Sequence, residues 1–186
     1  KIQSGANNPQ RPGATGAGGP QLTEKIVGSI LLRPKKLLGG TLELLIPAEF
    51  AQMDDHTIKI KYPIQSPPTV VLTNTKASVN IAINHTHNSV APNQLTQLHR
   101  QLDSAVRQSQ PSAVWKFSGL QQHHGREWIQ LEFQSDAVDT KIHNIMMATS
   151  AGGKMLVVSF NCTDEQSVEW LDVGREIVNS CQVQGR

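Results

Sequence analysis

The most constraining feature of this sequence is a run of strand patterns that no helix interrupts. Four segments of strand length follow one another in the second half of the chain, each rich in alternating apolar residues. They are Ala113–Leu120, Glu127–Gln134, Thr140–Ser150 and Lys154–Cys162. Gly152 and Gly153, between the last two, supply the positive φ that a hairpin turn needs. Consecutive hairpins build an antiparallel sheet, and the lack of strand–helix alternation excludes a doubly wound parallel fold.

Two helix patterns flank this run of strands. The first begins near Pro92, where a helix tolerates proline, and its apolar residues recur over about four turns. They are Leu95, Leu98, Leu102 and Val106. The second follows a capping-box pattern from Thr163 to Gln166, with Asp164 and Glu165 at the positive end of the helix dipole. Its predicted buried stripe is Val168, Leu171, Val178 and Cys181, widened by Trp170 and Ile177.

The N-terminal half divides into a tail, a connecting segment and further strands. Residues 1–20 contain five Gly and three Pro and almost nothing apolar, so they are predicted to be a disordered tail. Residues 21–38 are predicted to be a short helix or linker, because Leu22, Ile26 and Ile30 recur every four residues. The folded domain is predicted to span residues 39–186. Its first strands are Thr41–Ile46, Asp55–Tyr62, Thr69–Asn74 and Ala77–Asn84, with a helical turn around Met53 to His56 as the alternative in the second.

These elements predict an α+β fold, an antiparallel β-sheet packed with helices. In the segment Glu127–Gln134, Ile129, Leu131 and Phe133 face one way and Trp128, Gln130 and Glu132 face the other. This alternation predicts a sheet with one largely wet side.

Composition and charge bound the function. Residues 1–40 have a net charge of +5 and the remainder a net charge of −3, so the basic character belongs to the tail. The rest of the chain lacks a basic stripe with stacking aromatics, so nucleic acid is not an expected partner. No apolar run approaches the roughly 20 residues that span a bilayer. The absence of an initial Met and the tether-like tail favour the cell envelope, with the cytoplasm as the alternative.

The reactive side chains give weak site signals. His85 and His87 share a face if their strand continues through both, and His123 and His124 precede the strand that starts at Glu127. These four are the candidate metal ligands, but no Cys or acidic residue lies beside either pair apart from Glu127. Cys162 and Cys181 flank a helix and are predicted to be free, buried thiols too far apart to bridge. No nucleophile or phosphate-binding motif is present, so the sequence predicts no catalytic residue and no cofactor.

Several segments together resemble the DcrB-like and PsbP-like group of bacterial domains. They are LELLIPAEF (Leu42–Phe50), KIKYP (Lys59–Pro63), PTVVLTN (Pro68–Asn74), SVNIAI (Ser78–Ile83) and HNIMMATSAGGKMLVVSFNC (His143–Cys162). The resemblance implies a PsbP-like α/β/α sandwich. Members of this group serve as accessory proteins, among them photosystem subunits, chaperones of secretion effectors and envelope lipoproteins. The resemblance brings no shared catalytic residues.

Three functional hypotheses remain open at this point. The leading one is a non-catalytic accessory domain that engages a protein partner through an exposed patch containing Tyr62, Trp128 or Met146. The second is a metal-binding protein that uses the candidate histidines. The third is a tethered cell-envelope component, whose membrane contact would be made only through the tail.

Overall fold

The structure is a computed structural model that describes residues 20–64 and 66–184. Within those residues the chain forms eleven strands and three α-helices. In chain order they are β1 (Lys25–Val27), β2 (Ile30–Leu37), β3 (Leu42–Pro47), β4 (Ala51–Gln52), α1 (Asp55–Lys61), β5 (Val70–Thr73), β6 (Val79–Ser89), α2 (Leu95–Ser109), β7 (Val114–His123), β8 (Arg126–Asp136), β9 (Lys141–Ala151), β10 (Lys154–Thr163), α3 (Ser167–Asn179) and β11 (Gln182–Val183).

The strands form two antiparallel sheets. The larger has seven strands in the order β4-β5-β6-β10-β9-β8-β7, and the smaller has four in the order β1-β2-β3-β11. The predicted strands from residue 113 to residue 162 are confirmed as β7 to β10, and each pairs with the next along the chain. Two-residue turns close the β7–β8 and β9–β10 hairpins, and all four turn residues have positive φ. The predicted α+β class with an antiparallel sheet is confirmed.

Helices cover both faces of the seven-stranded sheet. On one face α2 packs its predicted stripe of leucines over Ile129, Leu131 and Phe133, and α1 packs Ile58 over Val71 and Ala82 of β5 and β6. We call this the α1–α2 face. On the opposite face α3 and the small sheet share one continuous apolar core with β6, β9 and β10, which we call the α3 face.

Both sides of β8 are therefore buried, and the prediction of a largely wet sheet side is wrong. Trp128 is fully buried in the core of the α3 face. Glu132, on the same side of β8, is buried as well, and its carboxylate accepts a hydrogen bond from the Arg175 guanidinium of α3 at 2.6 Å. A buried carboxylate that is paired in this way is tolerated beneath a helix, so the polar alternation did not mark a solvent face.

The first hairpin corrects a second prediction. Residues 25–37 form β1 and β2 rather than a short helix, with a turn at Gly28, whose φ is 59°. Ile26 is 68% exposed, so the four-residue recurrence of apolar residues was not a buried stripe. Pro34 pairs with Leu45 of β3 on one side but lies beyond the last residue that pairs with β1 on the other. A strand tolerates proline where one of its sides has no neighbouring strand.

The segment from Asp55 to Lys61 corrects a third prediction, because it forms α1 and not a strand. Asp54 caps this helix, and its carboxylate accepts hydrogen bonds from the backbone N–H and the hydroxyl of Thr57 at 2.9 and 2.7 Å. These bonds lower the pKa of Asp54. The cap and the lysines in the last turn suit the helix dipole and outweigh the two-residue alternation of apolar side chains.

Helix α3 is confirmed, but its details differ from the prediction. Thr163 makes no capping hydrogen bond through its side chain, and a 3₁₀ turn from Asp164 to Gln166 precedes the helix. Val168 is 98% exposed and Leu171 is half-buried, whereas Trp170, Val173, Ile177 and Val178 are buried. The buried side of the helix is therefore turned relative to the predicted one.

The two cysteines confirm their prediction. Both are free and buried. Burial, with a contribution from the negative charge of Asp164, raises the pKa of the Cys162 thiol to about 12. Burial also raises the pKa of Cys181. Thiols held protonated in an apolar core are inert packing groups.

The predicted disordered tail, residues 1–20, lies outside the described residues apart from Pro20. The carbonyl of Pro20 accepts a hydrogen bond from the Gln182 side chain at 2.8 Å, which places the chain beside β11 as it enters the domain. No helix in the described residues is long and apolar enough to cross a membrane.

Candidate functional site

The four candidate metal ligands do not converge. His85 lies on β6 and His123 lies on β7, and three strands separate them in the sheet. At about 4.8 Å for each of four strand spacings, their backbones are roughly 19 Å apart, far beyond the reach of one ion. Across residues 20–64 and 66–184, no three His, Cys, Asp or Glu side chains lie close enough to hold a metal.

Each histidine of these pairs has its own local environment. The His85 imidazole Nε2 lies 3.1 Å from the Ala151 carbonyl, and the His124 imidazole Nε2 lies 3.1 Å from the Asn179 carbonyl. The strand does not run regularly through His85 and His87, because the β6–β10 register shifts between Leu156 and Lys154. Burial, with the positive charge of His124, lowers the pKa of His123. His85 and His124 thus contact different backbone carbonyls and do not form a shared site.

The three predicted partner-binding residues belong to three different clusters. Trp128 is fully buried beneath α3, so the expectation that it is exposed is wrong. Met146 is half-buried under α2, and Tyr62 is half-buried beside α1. The three do not form one patch. Only Tyr62 adjoins a solvent-exposed apolar surface.

That surface lies at the end of α1. Ile60 is 67% exposed and Ile64 is 62% exposed, four residues apart on either side of Tyr62. Lys59 on the helix and Lys76 on the β5–β6 turn are also exposed. We call these five residues the α1 patch. Single exposed apolar residues are common, but two on one short segment beside a half-buried tyrosine form a candidate docking surface.

Contacts beneath the α1 patch hold its backbone in place. The Lys61 ammonium donates hydrogen bonds to the Ala77 carbonyl at 2.9 Å and to the Asn80 side-chain oxygen at 3.0 Å. Asn80 in turn donates to the Asn161 side chain at 3.1 Å, and Asn161 bonds Tyr62. Since Ile58 faces the core from the same helix, these anchors leave Ile60 facing the solvent.

The charged residues around the α1 patch are mainly lysines. Burial lowers the pKa of Lys61, whose two acceptors are both uncharged. Burial also raises the pKa of Tyr62. The sequence contains no Asp or Glu from residue 56 to residue 102, a stretch that includes Lys59, Lys61 and Lys76. This run without acidic residues is visible in the sequence but corresponds to no known motif. Asp54 and Asp55 lie at the start of α1, so the three lysines exceed the acidic residues of this region by one, and the patch presents apolar side chains in a weakly positive field.

A second polar cluster joins α2 to β7. The Ser118 hydroxyl donates to the Asp103 carboxylate at 2.6 Å, and the His99 imidazole Nε2 lies 2.9 Å from the same hydroxyl oxygen. The Arg107 guanidinium bonds the other Asp103 oxygen at 2.8 Å and lies 4.0 Å from the centre of the Trp115 ring. Arg107 and Ser118 together lower the pKa of Asp103.

This cluster contains Ser, His and Asp but not in the order of a hydrolase triad. In a triad the histidine accepts the serine proton, and the carboxylate orients the histidine. Here the Ser118 hydroxyl donates its hydrogen bond to Asp103, so the His99 nitrogen donates to the Ser118 oxygen. A serine hydroxyl that only donates a hydrogen bond to a carboxylate of low pKa keeps its proton, because that carboxylate is a weak base, and the serine is not activated as a nucleophile. The cluster therefore fixes α2 on the sheet.

Comparison with solved structures identifies proteins that share this fold. No protein-family model and no curated protein matches the sequence. The solution structure of cyanobacterial PsbP (CyanoP) from Synechocystis sp. PCC 6803 matches with a TM-score of 0.60 and 13% identity, over 91% of this chain and 98% of that chain.

Two further solved structures are more distant. A crystal structure of a protein from Bacteroides thetaiotaomicron VPI-5482 matches with a TM-score of 0.50 and 11% identity, over 82% of this chain and 48% of that chain. This chain thus spans about half of that protein. LpqN of Mycobacterium tuberculosis, described as involved in cell envelope biogenesis, matches with a TM-score of 0.47 and 11% identity, over 83% of this chain and 91% of that chain. The extent of the match to CyanoP confirms the predicted resemblance at the level of architecture: this chain has the PsbP-like fold.

Proposed function

We propose that this protein is an accessory binding domain that docks a partner protein on the α1 patch. The observation that carries the proposal is the exposure of Ile60 and Ile64, each about two-thirds accessible, on a segment that Lys61 and Tyr62 anchor from below. Apolar side chains that are held outward on a fixed backbone lose little conformational entropy when a partner covers them.

The two isoleucines supply part of the free energy of a complex, because each is already about one-third covered and association itself costs at least about 4 kcal/mol. Complete burial of an exposed Ile side chain contributes about 1.5–3 kcal/mol. Interfaces concentrate their binding energy in a few central apolar or aromatic residues, and a rim of polar groups surrounds them. Ile60 and Ile64 would form the centre, and Lys59 and Lys76 would form the rim.

The charge around the patch defines the chemistry of the partner. Lys59, Lys61 and Lys76 outnumber Asp54 and Asp55 at the start of α1, and no further acidic residue occurs from residue 56 to residue 102. A partner surface with an apolar pocket and acidic residues around it complements this arrangement. Such complementarity raises the association rate and makes binding depend on ionic strength.

The experiment is affinity capture from the source cell with the intact protein and two double variants as bait. Ile60→Ser/Ile64→Ser removes the centre of the patch. Val138→Ser/Val168→Ser is the matched control, because Val138 is fully exposed and Val168 is 98% exposed, both outside the patch. We expect the wild type and the control variant to capture the same protein in similar amounts. The patch variant should capture at least about tenfold less of it.

A charge variant tests the chemistry of the partner. Lys59→Glu/Lys76→Glu should weaken capture of the same protein and reduce its salt dependence. Equal capture by the patch variant and the control would contradict the proposal. Capture that nuclease treatment abolishes would also contradict it, because the ligand would then be nucleic acid.

A further inference from the structure

The edge strand β7 differs from the other edges of the two sheets. It is ten residues long and ends the seven-stranded sheet. The remaining edge strands of the described residues, β1, β4 and β11, are two or three residues long. A long edge presents a row of backbone N–H and C=O groups that can pair with another strand.

The turn that closes the β7–β8 hairpin determines which groups form this row. The turn is His124–Gly125, with φ values of 51° and 74°. In a two-residue hairpin of this kind the flanking residues, here His123 and Arg126, form a hydrogen-bonded pair, and hydrogen-bonded pairs alternate along the ladder. The residues whose backbone groups point away from β8 are Ser118, Leu120 and Gln122. In the described part of the chain these groups have no backbone partner.

The exposed edge lacks the usual protection against pairing. Natural edge strands carry charged side chains, proline or bulges that block another strand. The segment Phe117–His123 (FSGLQQH) contains no Asp, Glu, Lys, Arg or Pro. The one bulge lies at Lys116, where the β7–β8 register shifts, so it limits the available edge at one end only.

We propose that a second copy of this chain pairs with this edge as an antiparallel strand, with a two-fold axis at Leu120. The axis places Ser118 opposite Gln122 of the other copy and Phe117 opposite His123, so no like charges meet. Pairing of Ser118, Leu120 and Gln122 in both copies makes about six backbone hydrogen bonds. The uncharged, self-complementary segment favours a second copy over a charged partner strand.

This inference is independent of the proposed function. Strand β7 lies at one end of the seven-stranded sheet, whereas α1 packs on β5 and β6 near the other end. A dimer through β7 would therefore leave both α1 patches accessible. A domain with two copies of the patch would bind a multivalent partner with increased avidity.

The test is the molar mass of the protein by sedimentation equilibrium over a concentration series. The variant Gln122→Pro removes one outward N–H from each copy and leaves the β8 ladder intact, because the Gln122 N–H does not point to β8. Gln122→Thr is the matched control, because it keeps the N–H. We expect a wild-type dimer, a dimer of Gln122→Thr, and a dissociation constant about thirtyfold higher for Gln122→Pro.

A second variant keeps the test decisive if Gln122→Pro fails to fold. Leu120 is half-buried against the core under α2, and the stem of a lysine can keep part of that contact while its ammonium reaches solvent. Leu120→Lys then places two ammonium groups opposite each other at the two-fold axis, and we expect it to be less stable than the wild type, to keep a native circular dichroism spectrum and to be monomeric. A wild type that is monomeric at every concentration overturns the proposal. So does a dimer that persists unchanged in both folded variants.

Discussion

The two faces of the seven-stranded sheet are built differently. On the α3 face a single core of buried residues runs from β6, β9 and β10 through α3 into the small sheet. On the α1–α2 face two separate smaller cores lie under α1 and α2. Hydrogen-bonded polar side chains, such as Asn80 and Ser118, secure these two helices.

The difference assigns separate roles to the two faces. A continuous apolar core contributes most of the stability and tolerates little change of volume. Small cores secured by polar contacts leave more side chains at the surface, and the α1 patch is found there. We infer that the α3 face holds the fold together and that the α1–α2 face carries the docking surface.

The largest effect is expected from Gly174 on the α3 face. A Cβ atom at this position would lie 2.3 Å from the ring of Phe160, which is itself fully buried. We expect Gly174→Ala to lower the free energy of unfolding by about 2–4 kcal/mol, although alanine favours helix by about 1 kcal/mol. Urea denaturation measures this change. An unchanged midpoint would mean that α3 is not packed closely on β10.

A smaller effect is expected from Ile58 on the α1–α2 face. Ile58 is buried in a cluster with Met53, Val71 and Ala82. We expect Ile58→Ala to lower the free energy of unfolding by about 2 kcal/mol, at the low end for such a truncation because this core is small. Ile60→Ala on the same helix is the control and should change it by less than about 0.5 kcal/mol. If Ile58→Ala and Gly174→Ala lowered the free energy of unfolding equally, the two faces would not differ in their contribution to stability.

Acid should weaken the contact between α2 and β7 through Asp103. The pKa of Asp103 is depressed in the folded state, mainly by Arg107 and then by Ser118. A carboxyl of this kind stabilises the fold fully above its unfolded pKa of about 3.9, and the contribution is lost as pH falls through the folded value. Because Asp103 lies close to the surface, we expect about 1 kcal/mol or less.

The variant Asp103→Asn checks the acid prediction. It should remove part of the fall in stability below about pH 4, measured by urea denaturation across a pH series. Asp54, which caps α1, also has a lowered pKa, so the acid sensitivity that remains in the variant includes the loss of this cap. An identical acid profile for wild type and variant would show that the α2–β7 cluster does not contribute.

The smallest effect is expected from Val168, although it lies on α3. Its side chain is 98% exposed, whereas the sequence pattern placed it in the buried stripe. We expect Val168→Ser to change the free energy of unfolding by less than about 0.5 kcal/mol. A loss of 1 kcal/mol or more in the same urea assay would show that the predicted stripe was right and that α3 is turned differently.

Sequence patterns predicted the elements with strong periodicity. The four strands from β7 to β10 and the amphipathic α2 followed from alternation and from helical spacing, because each buries one clear apolar side. The hairpin of β1 and β2 was missed because its apolar residues pack into the core of the α3 face, and no local sequence pattern records such long-range contacts. Helix α1 was missed because Ile58 and Ile60 alternate as in a strand, while the capping signal at Asp54 was present but short.

The candidate site was predictable only in part. Tyr62 was a candidate from the sequence, and the structure places it half-buried between Ile60 and Ile64 along the chain. Trp128 was expected to be exposed because Gln130 and Glu132, on the same side of β8, are polar. Glu132 is buried because it pairs with Arg175 of α3, and this tertiary contact leaves no signal in the local sequence. Exposure of Ile60 and Ile64 depends on which side of α1 meets the sheet, and that is a tertiary property.

The most direct test of this account is the hydrogen-exchange footprint of the complex with the captured partner. Backbone amides are compared between free and bound protein by mass spectrometry or NMR. If the partner docks on the α1 patch, we expect slower exchange on binding at residues 55–64 and in the β5–β6 turn, residues 74–78, with no change in α3. Protection confined to α3 or the small sheet, with α1 unchanged, would contradict it.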